Sequence, residues 1–188
     1  ELRFEQHCDG NSAALFGAIR WSSDDSTMPP GPVVPPPPGL WEPPPGATPS
    51  SGNYLYVESE PGDWAGQGRT EVFTQLDSIF TVLSGNASTD VFVAGDANWS
   101  GRVRAMSGLS RLEVGYYGDV QAFGGNPTKG GMNWGASAGC GVVTGWFVID
   151  SITYDGPTIV AIDMRFEQHC EGASPALYGA LRWDVNDP

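Results

Sequence analysis

The chain contains one stretch of nineteen residues twice. RFEQHCDGNSAALFGAIRW occupies Arg3–Trp21 and RFEQHCEGASPALYGALRW occupies Arg165–Trp183, in a chain of 188 residues. Fourteen of the nineteen positions are identical. The second copy closes the main domain, whereas a proline-rich segment separates the first copy from that domain. We therefore expect the first copy to be completed by a body other than its own domain.

The repeated stretch has the pattern of a β-hairpin. Apolar and polar residues alternate over Leu2–Cys8 and again over Leu15–Trp21, and the residues between the two runs are polar and include Gly10. Alternation with a period of two on both sides of such a connector predicts paired strands. A hairpin alone is marginally stable in water, because nothing covers its apolar face. The side chains that we expect a partner to bury are Phe4, Leu15, Ile19 and Trp21, with Cys8 as a covalent lock. The alternative is that the first copy is a remnant of an upstream repeat.

A proline-rich linker follows this N-terminal arm. Pro29–Pro49 holds 11 of the 16 prolines of the chain, and proline cannot take part in a helix or a sheet ladder. We expect polyproline II, in which 21 residues at ~3.1 Å each would span roughly 65 Å as a spacer. Leu40 and Trp41 interrupt the prolines and are candidates for contact with a surface; a ligand for a proline-binding domain is the other interpretation. The predicted organisation is an arm (1–25), a linker (26–52) and a domain (53–188).

The domain has the pattern of an all-β fold. Nine short apolar or alternating runs are separated by Gly, Asp, Asn and Pro turns, and no segment shows a sustained period of 3.6 residues. This density of strands predicts an antiparallel β-sandwich, jelly-roll or immunoglobulin-like in class, with a barrel as the second choice. Val160, Ile162, Met164 and Phe166 are expected to line one face. The predicted strands are Tyr54–Glu58, Glu71–Gln75, Ser78–Leu83, Asp90–Ala94, Val103–Met106, Arg111–Tyr117, Val142–Tyr154, Thr158–His169 and Ala176–Trp183.

The three cysteines predict one disulfide and one unpaired thiol. Cys140 and Cys170 both lie inside the domain, and we expect them to be bridged. Closing the loop of about 30 residues between them stabilises the fold by roughly 3 kcal/mol in the chain-entropy model. Cys8 is the twin of Cys170, but no twin of Cys140 precedes it. An odd cysteine in a secreted chain indicates an intermolecular bond or a free thiol.

Composition argues against several classes of function. The net charge of −13 makes nucleic acid a poor partner, and no apolar run reaches the length of a membrane span. The two histidines, His7 and His169, both stand in the repeated QHC tripeptide, where a structural role is the more common one. No nucleophile elbow, Walker loop or dinucleotide fingerprint is present. We therefore expect no enzyme and no cofactor.

Two kinds of ligand are candidates for the domain's loops. Glu60, Asp63 and Asp96 put hard oxygen ligands on tight turns, as a calcium site would need, although zinc spacing is absent. Aromatic rings in Gly- and Asn-rich loops could stack on sugars, which makes a polysaccharide a candidate partner, although tryptophans in sandwiches are commonly buried. Asn86 and Asn98 stand in Asn-x-Ser triplets and are candidate glycosylation sites. The candidate sugar-stacking rings are Trp64, Trp99, Tyr116, Tyr117 and Trp134.

The motifs of the domain also resemble a known type of module. FEQHCEG at Phe166–Gly172, PALYGALRW at Pro175–Trp183, SEPGDWAGQG at Ser59–Gly68 and GYYGD at Gly115–Asp119 are similar to a repeated β-domain of secreted or surface-attached bacterial proteins. The resemblance covers Asn53–Trp183 and again Arg3–Trp21. That family has no assigned activity, so the resemblance implies an extracellular or cell-surface location, an oxidising compartment and repetition, but no catalytic residues.

Together these features favour a structural extracellular protein. Its arm would dock on another body by strand addition, and a head-to-tail contact of this kind produces filaments or arrays. The arm would either occupy a second groove or displace the C-terminal hairpin in a swap, and the units would be separate subunits or repeats of one longer chain. The alternative function is a carbohydrate-binding module of a secreted enzyme or adhesin.

Overall fold

The computed structural model describes residues 1–25, 30–136 and 139–187, and over these residues the chain is all β, with no helix. The first residues of the predicted linker, 26–29, lie outside the described residues. The strands are β1 (Leu2–His7), β2 (Ala14–Ile19), β3 (Tyr54–Ser59), β4 (Thr70–Thr74), β5 (Ile79–Gly85), β6 (Ser88–Ala94), β7 (Asn98–Arg104), β8 (Gly115–Tyr117), β9 (Gln121–Ala122), β10 (Gly131–Gly135), β11 (Val143–Asp155), β12 (Thr158–Cys170) and β13 (Ala176–Asp184).

The strands form a sandwich of two sheets and a separate hairpin. One sheet has the order β4-β3-β13-β12-β11-β8, the other has the order β5-β6-β7-β10-β9, and β1 and β2 pair only with each other. All pairs are antiparallel except the short β9–β10 pair. The predicted antiparallel β-sandwich is therefore confirmed.

The core lies between the two sheets and is rich in stacked aromatic rings. Trp134 of β10 stacks on Phe166 of β12 with ring centres 4.6 Å apart, and Tyr117 stacks on Phe147 at 4.3 Å. All four side chains are fully buried. Offset stacking of this kind adds to the free energy of burying the rings. The Cys140–Cys170 disulfide lies in the same core, so the predicted bridge is confirmed.

A bulge changes the face on which one predicted core residue lies. Tyr154 pairs with Ile159 and Thr153 pairs with Ala161, which leaves Val160 as an extra residue in β12. The expected inward position of Val160 is therefore wrong, and Ile159 is the buried residue instead. A β-bulge shifts the inward and outward alternation of a strand by one residue, and a run of β-branched residues contains no sequence signal for its position.

The described part of the linker from Val33 to Asn53 lies against the six-stranded sheet, and we call it the strap. At one end Val33 exchanges two backbone hydrogen bonds with Tyr116 of β8 (2.9 and 3.0 Å). In the middle, Trp41 stacks on Tyr178 of β13 at 5.2 Å. At the other end the side-chain amide of Asn53 donates to the carbonyl of Asp184 (3.1 Å). The strap therefore contacts the six-stranded sheet at both ends and in its middle.

The strap follows one row of outward-facing residues across the sheet. Pairing places Tyr56, Ala180, Arg165, Val148 and Tyr116 side by side on β3, β13, β12, β11 and β8. Tyr56, Ala180 and Val148 are buried, although they face away from the core. Along this row from Tyr56 to Val148 the sheet is thus buried on both sides, by the second sheet on its inner face and beneath the strap on its outer face.

Candidate functional site

The arm is a hairpin with the same pairing as the hairpin of β12 and β13. Phe4 pairs with Gly17 as Phe166 pairs with Gly179, and the register matches at every position of β1. In both turns the first residue has a positive φ (54° at Asp9) and a glycine follows. The amide of Asn11 donates to the carbonyl of Cys8 at 3.0 Å, and in the second copy the amide of Ala173 donates to the carbonyl of Cys170 at 2.9 Å. The shared sequence therefore produces one backbone shape in two different surroundings.

One glycine is required in each hairpin. In the arm the Phe4 ring lies over Gly17, and in the domain the Phe166 ring lies over Gly179, so that a Cβ atom at either glycine would collide with the ring. The paired position must be glycine for the aromatic side chain to lie flat across the hairpin. The inner face of the arm is thus shaped as it is in the completed domain.

The two copies differ in what covers this inner face. Phe4, Leu15 and Ile19 are 40%, 60% and 54% exposed, whereas their counterparts in β12 and β13 are at most 1% exposed. Trp21 is 80% exposed, and the Cys8 thiol is free and exposed. The residues predicted as anchors are therefore presented to solvent together on one hairpin.

A buried glutamine identifies the environment that the second copy occupies. The side-chain oxygen of Gln168 accepts from the Trp134 amide (2.7 Å), and its side-chain nitrogen donates to the Trp134 carbonyl (2.8 Å). This pair of bonds joins β12 to β10 of the facing sheet. The same nitrogen lies 3.3 Å from the sulfur of Cys140. Gln6, the counterpart in the arm, reaches only the Cys8 sulfur at 3.8 Å.

Gln6 and Gln168 were not among the predicted site residues. A polar residue at an inward position of an otherwise apolar alternation was the available signal, and it recurs unchanged in both copies. A buried amide needs hydrogen-bond partners, so its presence indicates a polar target opposite the strand.

The outer face of the hairpin is also duplicated. Arg165 forms a two-bond ion pair with Asp150 (2.8 Å each) and donates to the carbonyl of Trp41 in the strap (3.0 Å). Its hydrogen bonds with Asp150, above all, raise the pKa of Arg165. The corresponding Arg3 pairs only with the exposed Glu1 at 2.8 Å. The arm therefore repeats the arginine of this ion pair, but no neighbouring strand of the described structure supplies a carboxylate like that of Asp150.

Trp41 makes the main aromatic contact of the strap. Its ring stacks on Tyr178 at 5.2 Å and lies 6.1 Å from Tyr56. The neighbouring Leu40 is half-buried. Tyr56 donates to the carboxylate of Glu58 at 2.9 Å, and burial, with help from this bond, raises the pKa of Tyr56 to about 12.

The rings proposed for sugar stacking do not form a platform. Trp99, Tyr117 and Trp134 are core residues, which corrects their assignment, because a buried ring has no free face for a ligand. Trp64 is exposed in the loop after β3, and Tyr116 is half-buried on β8. Three strands of the six-stranded sheet separate β3, which precedes the loop of Trp64, from β8, which carries Tyr116.

The acidic candidates for calcium serve other purposes. The buried carboxylate of Asp63 accepts hydrogen bonds from the Ser59 hydroxyl (2.8 Å) and the Gly66 amide (2.7 Å) and thereby holds its own loop. Glu60 accepts from the amide of Ala176 at 2.9 Å. Over the described ranges, no three His, Cys, Asp or Glu side chains are grouped as ligands of a metal ion, so the structure lends no support to a site that includes Asp96.

The remaining candidate residues lie at the surface. Asn86 is exposed in the turn between β5 and β6, and Asn98 is exposed at the start of β7. His7 and His169 each contact the glutamate two residues before them, at 2.7 and 3.1 Å. Within the part of the chain that the structure describes, no helix is long and apolar enough to cross a membrane.

No protein-family model, no curated protein and no solved structure matches this chain. The arm, the domain's own hairpin and the strap therefore carry the functional interpretation.

Proposed function

We propose that the protein is an extracellular structural unit, either a subunit or a repeat, that joins others of its kind head to tail through the N-terminal arm. One observation supports this proposal above the others. The inner face of the arm has the shape and the residues of a core hairpin, but it lies in solvent.

The arm has much to gain from a partner. Burying one large apolar side chain contributes about 1.5–3 kcal/mol, so that Phe4, Leu15, Ile19 and Trp21 together could contribute roughly 6–12 kcal/mol before the cost of association. Both strands of the arm also have an unpaired edge that can extend a sheet. An interface of this kind is strong enough to hold units together.

The contact joins two different surfaces. The arm differs from the surface that would receive it, so the interface is heterologous. Such contacts continue as open filaments or close into rings, the smallest of which is a pair that exchanges both arms. The strap keeps residues 33–53 on the domain, so that the arm would reach its partner without the 65 Å spacer expected from the prolines.

The disulfide and the charge support an extracellular location. Cys140–Cys170 is buried and bridged, and structural disulfides persist in oxidising compartments. A net charge of −13 favours solubility outside the cell while it leaves a specific apolar contact free to act.

Removal of the arm tests the proposal. A chain without residues 1–25 should remain folded by circular dichroism but be monomeric by light scattering and electron microscopy at concentrations at which the intact protein forms multimers. The control is a chain with Asn11→Ser in the exposed turn of the arm, whose counterpart Ala173 is also exposed in the domain, and this chain should assemble as the intact protein does. Intact protein that remains monomeric at high concentration, with the arm exposed, would refute the proposal for separate chains.

The alternative, a carbohydrate-binding module, has weaker support because three of its five rings are buried. The carbohydrate-binding function can be tested separately from assembly. Trp64→Ala should lower affinity for an insoluble polysaccharide in a pull-down if that function is correct, and it should leave arm-dependent assembly unchanged.

A further inference from the structure

We infer that the arm binds in the place of β12 and β13 in a second copy of this sandwich, between β11 and β3, and does not add to the outer edge of a sheet. This inference rests on the proposed function and specifies its interface. The partner surface, which we call the hairpin slot, consists of the edges of β11 and β3 and of the facing β10 with Cys140.

The hairpin slot matches the arm at both of its edges. In the sandwich, β12 pairs with β11 and β13 pairs with β3, so that the hairpin is bounded by a strand on each side. Because the register of β1 and β2 equals that of β12 and β13, the arm would meet both neighbours in phase. An outer edge such as that of β4 or β5 would use only one of the arm's two edges.

The inner face of the arm matches the floor of the hairpin slot. Phe4 would take the stack on Trp134 that Phe166 makes at 4.6 Å. Gln6 would take the two hydrogen bonds that Gln168 makes to the Trp134 backbone.

The outer face matches as well. Arg3 and Ala18 would stand in the row between Val148 and Tyr56, where Arg165 and Ala180 stand now. Arg3 would then find Asp150 and the Trp41 carbonyl, which are two of the partners of Arg165. Both faces and both edges of the arm therefore identify the same receptor.

The position of Cys8 provides the readout. Cys170 is bridged to Cys140 with their Cα atoms 5.2 Å apart, and an arm in the hairpin slot would bring Cys8 to the same place. The resident hairpin competes for the slot with the advantage of being in the same chain. Exchange is therefore best detected when the resident hairpin is unable to form the disulfide and Cys8 is able to do so.

The test uses two full-length variants refolded at high protein concentration in a glutathione redox buffer, with disulfides mapped by mass spectrometry of peptides from mixed isotope-labelled and unlabelled chains. Cys170→Ser leaves Cys8 and Cys140, and it should give intermolecular Cys8–Cys140 links. Cys140→Ser leaves Cys8 and Cys170 on two identical hairpins. Its cross-link yield should be at least about tenfold lower, because a disulfide needs Cα atoms held about 5.5 Å apart.

A second pair of substitutions separates docking in the hairpin slot from general stickiness. In the Cys170→Ser chain, Phe4→Ser should reduce the Cys8–Cys140 yield at least about tenfold, because the stack on Trp134 is lost. Leu76→Ser removes an apolar side chain that is 99% exposed in the turn after β4 and lies outside the hairpin slot, and it should leave the yield unchanged. A reduction by Leu76→Ser as large as that by Phe4→Ser would show unspecific association and overturn the inference.

The outcomes also separate this inference from the proposed function. Arm-dependent multimers of the intact protein without any Cys8–Cys140 link in the Cys170→Ser chain would place the arm at another surface, so that assembly would stand and the hairpin slot would not. A Cys170→Ser chain that folds only in the Cys8–Cys140-linked form supports the inference, and one that stays unfolded with Cys8 unlinked contradicts it.

Discussion

Gln168 shows how one residue joins the two sheets. Its side chain is fully buried and satisfies both the amide and the carbonyl of Trp134, at 2.7 and 2.8 Å. An unpaired backbone group in a core costs about 1–3 kcal/mol, so the side-chain amide of Gln168, which pairs two such groups, has a large effect on the stability of the domain. The same residue in the arm, Gln6, has no such target, although its local sequence is identical.

The first prediction compares these two glutamines. Gln168→Met should lower the free energy of unfolding by about 2–4 kcal/mol, because it leaves two buried backbone groups of Trp134 without partners. Gln6→Met, the matched control, should change it by less than about 0.5 kcal/mol in the monomer. Urea denaturation followed by tryptophan fluorescence measures both. Equal effects of the two substitutions would contradict the role assigned to Gln168.

Among the elements, the strap is the one that local sequence describes least well. Its prolines indicate an extended, ladder-free segment, and the segment is bound along the row from Tyr116 to Tyr56. Because the strap makes few backbone hydrogen bonds to the sheet, Trp41 and the Arg165–Trp41 carbonyl bond hold its middle. The outward-facing Ala180 and Val148 are buried beneath this path.

The second prediction concerns Trp41. Trp41→Ala should destabilise the domain by about 2 kcal/mol, because it removes the stack on Tyr178 and Tyr56 and exposes the outer face of the sheet. Hydrogen exchange of amides near Ala180 should also become faster. Trp64→Ala, which removes an exposed tryptophan, is the control and should change stability by less than about 0.5 kcal/mol. Unchanged exchange in Trp41→Ala would mean that the strap does not protect the sheet.

Two strands illustrate where local pattern is insufficient. Gly131–Gly135 forms β10, an interior strand of the five-stranded sheet between β7 and β9, although glycine and asparagine disfavour strands. Of the predicted run Arg111–Tyr117, only Gly115–Tyr117 is a strand. Pairing with β7 on one side compensates for the weak intrinsic strand preference of β10. Because β7 is far from β10 in the sequence, a local pattern does not include it.

In the molecule as a whole, tyrosines are placed where their ionised forms are unfavourable. Burial raises the pKa of Tyr117, Tyr154 and Tyr178, and in Tyr178 nearby glutamates add to the effect. The pKa of Tyr56 is raised to about 12 from an ordinary value of 10.0. These residues lie in the core and on the outer face, so that their titration affects both sides of the six-stranded sheet.

The third prediction follows from the sign of these shifts. A tyrosine whose pKa is higher in the folded than in the unfolded state contributes full stability below the unfolded value, and the contribution decreases as pH rises through the folded value. For Tyr56 this interval is from about pH 10 to about pH 12. The free energy of unfolding should therefore fall steeply with pH above about 10 in denaturation series. Tyr56→Phe should make this slope smaller, and an unchanged slope would contradict the role of Tyr56.

Much of the architecture was predictable from local patterns, because strands and turns have short-range signatures. The sandwich, the long hairpin of β12 and β13, and the Cys140–Cys170 bridge were all expected and are present. The burial of Trp99 and Trp134 was one of two interpretations that stayed open, because a tryptophan in a Gly-rich run has the same local sequence whether it faces a ligand or a core. The inward position of Ile159 in place of Val160 could not be predicted for a similar reason, since either of two adjacent β-branched residues fits an inward position equally well.

The two copies of the hairpin separate what each level decides. Nineteen nearly identical residues are enough to determine strand, turn, register and the ring over its glycine, because those features depend on contacts within the stretch. Whether Phe4 or Phe166 is covered depends on β10, which carries Trp134, lies outside both copies in the sequence and is absent beside the arm. Only the tertiary structure therefore decides which hairpin is a core element and which is a free surface, since burial is a property of the neighbours that a strand finds and not of its own residues.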